Sequence, residues 1–109
     1  MGETLFLERV QKTFFMLENS IDQWNIKHDL VIDINKDANV FEVEFENTKK
    51  IILNSQAPML QLWMASELGA YHFSFDEKKG TWEDTRGSGS FLVIFEDASK
   101  KLTGINFVI

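Results

Sequence analysis

The sequence predicts an α+β domain, a two-layer sandwich with two helices packed on one face of a five- to six-stranded antiparallel sheet. Three observations support this fold class. Apolar residues near the start of the chain recur every three or four positions, the middle of the chain alternates apolar and polar residues, and a helical pattern returns near the end. Because the connections between the alternating segments are of hairpin length, neighbouring strands are expected to be antiparallel.

The first helix is predicted from a stripe of apolar residues spaced for one side of an amphipathic helix: Phe6, Val10, Phe14, Leu17, Ile21 and Trp24. Strands are predicted over residues 30–35, 41–46, 49–54, 59–66, 71–75 and 81–84. Ser90 is a suitable N-cap for a second helix, and Gly104 is expected to end it. The inner stripe of that helix would consist of Phe91, Phe95, Ala98 and Leu102.

Length and composition restrict the class of protein. The 109 residues are expected to form one domain, residues 1–109, and the 44% of hydrophobic residues suffices for a buried core. The absence of Cys excludes disulfides, zinc–thiolate sites and thiol catalysis. The net charge of −6 argues against binding to nucleic acids or anionic membranes, which need a basic surface. No apolar run approaches the roughly 20 residues of a membrane span, and the first residues lack a signal or transit pattern. We therefore expect an intracellular protein.

The negative charge is concentrated in the first part of the chain. Residues 1–46 contain ten acidic and four basic residues, whereas residues 47–109 contain seven of each. Glu18 and Asp22 lie one helical turn apart, so their carboxylates repel each other and a cation could relieve that repulsion. Glu42, Glu44 and Glu46 alternate along one predicted strand and are interpreted as its solvated side, balanced by counter-ions or by nearby lysines.

One predicted strand places a tryptophan on the side of the sheet that the helices leave open. In residues 59–66, Leu62 and Met64 point towards the core, so Gln61 and Trp63 point to the open side. Trp63 is either an interaction residue or a side chain partly covered by its neighbours. His72 also falls on the open side and, as a lone histidine, is expected to be a surface residue and not a metal ligand.

The same region resembles a known family. Residues 51–66 read IILNSQAPMLQLWMAS and are followed by GAYHF at 69–73, which is similar to the signature of the frataxin family, most closely in its bacterial form. Trp82, Arg86 and Phe91 also fall where that family has a W…R…F run before its last helix. The order of helix, strands and helix agrees along nearly the whole chain, and the match is weakest before residue 40.

The resemblance implies a non-enzymatic protein that binds iron weakly, serves iron–sulfur cluster assembly, and has a cysteine desulfurase and a scaffold protein as partners. By position, the acidic ridge of the family would comprise Glu18, Asp22, Asp29 and Asp33, as metal ligands and docking residues. The contact surface on the sheet, here called the open-face patch, would comprise Asn54, Gln56, Gln61 and Trp63. We also expect a monomer, because no long apolar face remains once the core is assigned. The expected location is the bacterial cytoplasm, with a mature mitochondrial protein as the alternative.

The chemistry of the acidic ridge agrees with weak metal binding. Carboxylates without His or Cys suit iron and other hard divalent cations. Between Glu18 and Asp33, however, this chain has fewer acids than the bacterial family members, and Lys27 and His28 lie among them. We therefore expect weaker iron binding than is typical. Two alternatives remain open: a ferroxidase or iron-detoxifying protein, and an acidic protein-interaction domain without a metal role.

The last five residues, 105–109, are mostly apolar and follow the glycine that is expected to end the second helix. In some frataxins the corresponding extension packs between the two helices. We expect the same position here, because four apolar side chains left in solvent would forfeit the free energy of their burial.

Overall fold

The computed structural model describes residues 1–109, and it confirms the predicted fold class. Helix α1 spans Glu3–His28 and helix α2 spans Phe91–Thr103. Between them lie strands β1 Asp33–Lys36, β2 Val40–Glu44, β3 Lys50–Gln56, β4 Gln61–Ser66, β5 Gly69–Asp76 and β6 Thr81–Asp84, with a short 3₁₀ helix, Ala57–Met59, between β3 and β4. Neither helix is long and apolar enough to cross a membrane.

The six strands form one antiparallel sheet in which each strand pairs with the next along the chain. Short turns make this arrangement possible, since a tight turn can join only antiparallel neighbours. The register places Asn54 of β3 opposite Trp63 of β4, and Trp63 opposite His72 of β5. Residues that are distant in sequence therefore form continuous rows across the sheet.

The core lies between the helices and the inner face of the sheet. All six residues of the predicted α1 stripe are at most 2% exposed, as the helical spacing predicts. The four predicted inner residues of α2 are buried as well. Inward-facing residues of β2 to β6, together with Ile32, Phe45 and Phe107, complete a cluster of 21 buried apolar side chains. Each fully buried large side chain stabilises the fold by roughly 1.5–3 kcal/mol, so the covered face of the sheet carries most of the stability.

Strand β1 begins later than predicted because the Asn25 side chain forms hydrogen bonds with the backbone that precedes the strand. The Asn25 Nδ2 donates a hydrogen bond to the Ile32 carbonyl (3.2 Å), and the Ile32 N–H donates to Asn25 Oδ1 (2.8 Å). Asp29, at the C-cap of α1, adopts a left-handed φ of 53° and reverses the chain. Residues 30–32 therefore connect α1 to the sheet, and pairing starts at Asp33.

Other predicted boundaries also differ from the structure. Strand β2 spans Val40–Glu44 and not residues 41–46, and β5 spans Gly69–Asp76 and not residues 71–75. Leu60 has a left-handed φ of 52° after the 3₁₀ helix, so β4 begins at Gln61 and not at residue 59. Strand β3 continues to Gln56, beyond the predicted end at residue 54. Ser90 does occupy the N-cap position of α2, but its side chain forms no capping hydrogen bond. Gly104 ends α2 with a φ of 77°, as predicted.

The apolar tail packs against both helices. Phe107 is buried and stacks on Trp24 of α1, with 4.3 Å between ring centroids. The Trp24 Nε1 donates a hydrogen bond to the Val108 carbonyl (3.0 Å), and the Ile109 N–H donates to Glu96 Oε1 of α2 (3.1 Å). The tail therefore closes the core at this end of the molecule.

Deleting residues 105–109 should lower the melting temperature by several degrees, because the loss of the buried Phe107 removes about 1–3 kcal/mol from a domain of this size. Phe107→Ala should account for most of that loss in a thermal unfolding scan. Val108→Ala is the matched control, since the Val108 side chain is 69% exposed. An unchanged melting curve for Phe107→Ala would contradict this role of the tail.

Candidate functional site

The structure brings all four residues of the open-face patch together. Asn54 lies opposite Trp63, and Gln56 lies opposite Gln61, in the pairing of β3 with β4. The Gln56 Nε2 donates a hydrogen bond to Asn54 Oδ1 (3.3 Å), and the Trp63 Nε1 donates to Gln61 Oε1 (2.8 Å). All four side chains are half-buried, so the patch is a continuous surface of amides around one indole.

His72 belongs to the same surface and contacts Trp63, which its predicted surface position does not indicate. Its ring stacks on the Trp63 indole, with 4.0 Å between centroids and 9° between planes. Alternation along β5 places His72 on the open side, but its contact with Trp63 depends on the register of β4 and β5. The stack leaves Trp63 partly covered, as one of the two expectations for this residue states. The other expectation, that Trp63 is an interaction residue, stays a prediction.

The acidic ridge is distributed over three places. Glu18 lies on α1, Asp22 is exposed one turn further on, Asp29 caps the end of α1, and Asp33 begins β1 opposite Glu44. No group of three or more His, Asp or Glu side chains lies close enough together to hold a metal ion. The ridge residues therefore form no closed coordination sphere, and their joint effect on a cation is that of nearby negative charges.

Glu18 is already paired with a cation of this chain. Its Oε2 atom is shielded from solvent and contacts the ammonium of Lys36 in β1. The two residues lie 18 positions apart in the chain, so no local sequence pattern indicates the pair. It forms only when β1 folds alongside α1. Because Lys36 neutralises Glu18, the exposed negative charge of the ridge lies mainly on Asp22, Asp29 and Asp33.

The neighbouring row of glutamates is partly neutralised by one lysine. Glu42 and Glu44 lie half-buried on the open face, and the Lys50 ammonium lies 3.2 Å from Glu42 Oε1 and 3.8 Å from Glu44 Oε1. The Asn35 Nδ2 donates a further hydrogen bond to Glu42 (3.3 Å). Glu46 lies beyond the end of β2 and is exposed. The row is thus the solvated, counter-charged side of a strand.

His28 does not contribute to the ridge, because it faces the tail. The His28 ring packs in a T-shaped arrangement with the ring of the buried Phe107, with 5.3 Å between centroids. Lys27, in contrast, is exposed in the last turn of α1. It lies two residues before Asp29 in the chain and adds a positive charge to this end of the helix.

Comparison with solved structures identifies the fold. The chain is similar to frataxin from Psychromonas ingrahamii, with a TM-score of 0.79 and 24% identity over 98% of this chain and 96% of that one. It is also similar to yeast frataxin, with a TM-score of 0.71 and 22% identity over 93% of this chain and 83% of that one. At these identities the likeness establishes the frataxin fold.

Sequence comparison then establishes the family. A frataxin-like domain model matches residues 1–105. The iron–sulfur cluster assembly protein CyaY of Bordetella avium is 34% identical over the whole chain and 98% of its own length. CyaY of Cupriavidus metallidurans is 37% identical over the whole chain and 96% of its own length. The chain belongs to the frataxin family, which confirms the resemblance of residues 51–73.

Proposed function

We propose that this protein takes part in iron–sulfur cluster assembly as a non-catalytic component, which binds iron weakly and docks on a cysteine desulfurase and its scaffold protein. Family membership and the role of the CyaY relatives, which are iron–sulfur cluster assembly proteins, support the general role. The observation that carries the docking role is the open-face patch, which assembles Asn54, Gln56, Gln61 and Trp63 around one stacked indole.

The open-face patch has the properties of a protein-docking surface. Trp63 offers a large amphipathic contact, and tryptophan is enriched among residues that dominate binding energy. Its stack on His72 and its bond to Gln61 already restrict the indole, so little side-chain entropy remains to be lost on binding. The surrounding amides can both donate and accept hydrogen bonds, which provides specificity for a polar partner surface.

The acidic ridge supports the second part of the proposal. Its exposed carboxylates would attract a basic surface of the desulfurase and steer its approach, with a strong dependence on ionic strength. Iron would be cargo, held as a hydrated ion by charge, because no three carboxylates converge on one point. Weak binding of this kind suits donation of iron or regulation of the desulfurase, whereas a ferroxidase would need converging ligands.

An acidic interaction domain without a metal role is the second candidate function. The Glu18–Lys36 pair and the absence of a three-ligand cluster favour it. For both candidates we propose a monomer, and the bacterial relatives support a location in the bacterial cytoplasm.

An iron titration distinguishes these functions. Ferrous iron, added without oxygen to isotope-labelled protein, should perturb the amide resonances of Glu18, Asp22, Asp29 and Asp33 selectively. Lys36→Gln should tighten this binding about two- to fivefold, because it frees the Glu18 carboxylate from a surface pair. Lys100→Gln, which removes an exposed cation from α2, is the control.

Two results would contradict weak iron binding by the ridge. No perturbation at millimolar iron would support the interaction domain without a metal role. Iron oxidation in air above the rate in buffer would instead support a ferroxidase.

Glu18→Lys combined with Asp22→Lys should abolish binding to a cysteine desulfurase while circular dichroism remains that of the folded protein. The double change cancels the net negative charge of the four ridge residues and also breaks the pair with Lys36. Glu3→Lys with Glu8→Lys makes the same change in net charge elsewhere on α1 and should weaken binding much less. Equal affinity of the ridge variant and the unaltered protein at low salt would refute the docking role.

Trp63→Ala should weaken formation of the complex with the scaffold at least tenfold in a binding assay, as expected for a hot-spot residue worth about 2 kcal/mol. Its effect on stability should be smaller, because the side chain is only half-buried. A loss of unfolding free energy of about 3 kcal/mol or more would assign Trp63 to the core instead. Ala65→Ser, on the same strand and the same face, provides a neutral control.

A further inference from the structure

A cavity of about 220 Å³ lies where α1, the β5–β6 hairpin and the start of α2 meet. Its apolar wall is formed by Met16, Phe75, Trp82 and Phe91. An apolar cavity of ~150 Å³ is large enough to hold benzene, so this one has room for a larger aromatic molecule. None of its lining residues belongs to the open-face patch or to the acidic ridge, so the cavity is separate from both of these surfaces.

The charge of this cavity is opposite to that of the protein as a whole. The chain has 17 acidic and 11 basic residues, yet the residues that line the cavity include Arg9 and Lys12 and no carboxylate. These two cations lie almost one turn apart on α1 and face the same space. A cation against an apolar wall is complementary to an anion with an apolar body.

The two cations have different roles. Arg9 is held in place, because its guanidinium makes two hydrogen bonds to Glu77 (2.6 and 3.1 Å) and lies 4.0 Å from the centre of the Phe75 ring. The bond from Arg9 also lowers the pKa of the Glu77 carboxyl, so Glu77 remains ionised and Arg9 remains engaged. Lys12 has no carboxylate within 4.0 Å and is the cation that is free to meet a ligand.

The buried polar groups of Thr13 and Trp82, which line the cavity, already have hydrogen-bond partners within the protein. The Trp82 Nε1 donates a hydrogen bond to Thr13 Oγ1 (2.9 Å), and the Thr13 hydroxyl donates to the Arg9 carbonyl (2.8 Å). A ligand therefore does not need to supply hydrogen-bonding groups to these two side chains. At the start of α2, the Ser90 hydroxyl makes no capping bond, which leaves a donor for an anion in the same cavity that Lys12 lines.

We propose that this cavity is a binding site for a small aromatic monocarboxylate. The aromatic ring occupies the space between Met16 and Trp82, and the carboxylate pairs with the Lys12 ammonium and accepts a hydrogen bond from the Ser90 hydroxyl. Arg9 and Phe75 form the fixed wall. This site does not depend on the role in cluster assembly, because it shares no residue with the surfaces that carry that role.

The three tryptophans make the test specific, because each reports on a different part of the molecule. The Trp82 indole lies in the cavity wall, Trp24 contacts the tail, and Trp63 lies on the open face. Naphthalene-2-carboxylate, titrated into isotope-labelled protein to millimolar concentration, should shift the assigned Trp82 indole N–H resonance. The Trp24 and Trp63 indole resonances should remain unchanged.

Two comparisons test the role of the carboxylate. Naphthalene-2-carboxamide has the same ring system without the charge, and should bind about three- to fivefold more weakly, as expected for the loss of one partly exposed ion pair. Lys12→Gln should lower the affinity for the carboxylate to that for the carboxamide. Lys27→Gln removes a cation from the same helix outside the cavity and should change neither affinity. Lys12 is exposed, so its replacement should leave the fold intact.

Three results would overturn the site. The Trp82 indole could show no shift at millimolar carboxylate, which would mean that the cavity binds no such ligand. The carboxylate and the carboxamide could bind equally well to the unaltered protein, which would remove the role of Lys12. The largest shift could occur at Trp63 or Trp24, which would place the ligand elsewhere.

Discussion

Two helices can cover only one side of a six-stranded sheet, and the positions of the other features depend on this constraint. The covered side carries the core, in which α1 alone contributes six apolar side chains that are almost fully buried. The uncovered side must be compatible with water, so it presents amides, glutamates and a single tryptophan. A surface that is not needed for the core is free to bind a partner. The open-face patch is therefore a direct result of how the sheet is covered.

The arrangement of charge follows from the same packing. The acidic residues are concentrated in the first 46 residues, but the fold brings cations against several of them. Lys36 pairs with Glu18, and Lys50 lies between Glu42 and Glu44. The surface potential is therefore weaker near these pairs than a count of carboxylates indicates. What remains is exposed charge near the end of α1, which suits attraction of a basic partner better than tight coordination of a metal.

Local patterns predicted much of this structure because they arise from local geometry. The α1 stripe, the strand at 81–84 and the ends of α2 follow from residue spacing and from Gly104. Predictions failed where a side chain acts on backbone outside its own element, or where a residue adopts a backbone conformation that is unusual for its type. Asn25 holds both polar groups of the Ile32 backbone and delays β1, and Leu60 adopts a conformation that is rare for leucine. Neither effect appears in hydrophobic periodicity.

The sequence by itself determined the fold class, the inner and outer faces of the main elements, and the position of Gln61 and Trp63 on the open side, since these follow from residue spacing. Only the tertiary structure decided which side chains meet. The stack of Trp63 on His72, the pair of Glu18 with Lys36, and the contact of Arg9 with Glu77 join residues 9, 18 and 68 positions apart. Strand register and helix placement bring them together, and these depend on packing of the whole chain, which no local segment encodes.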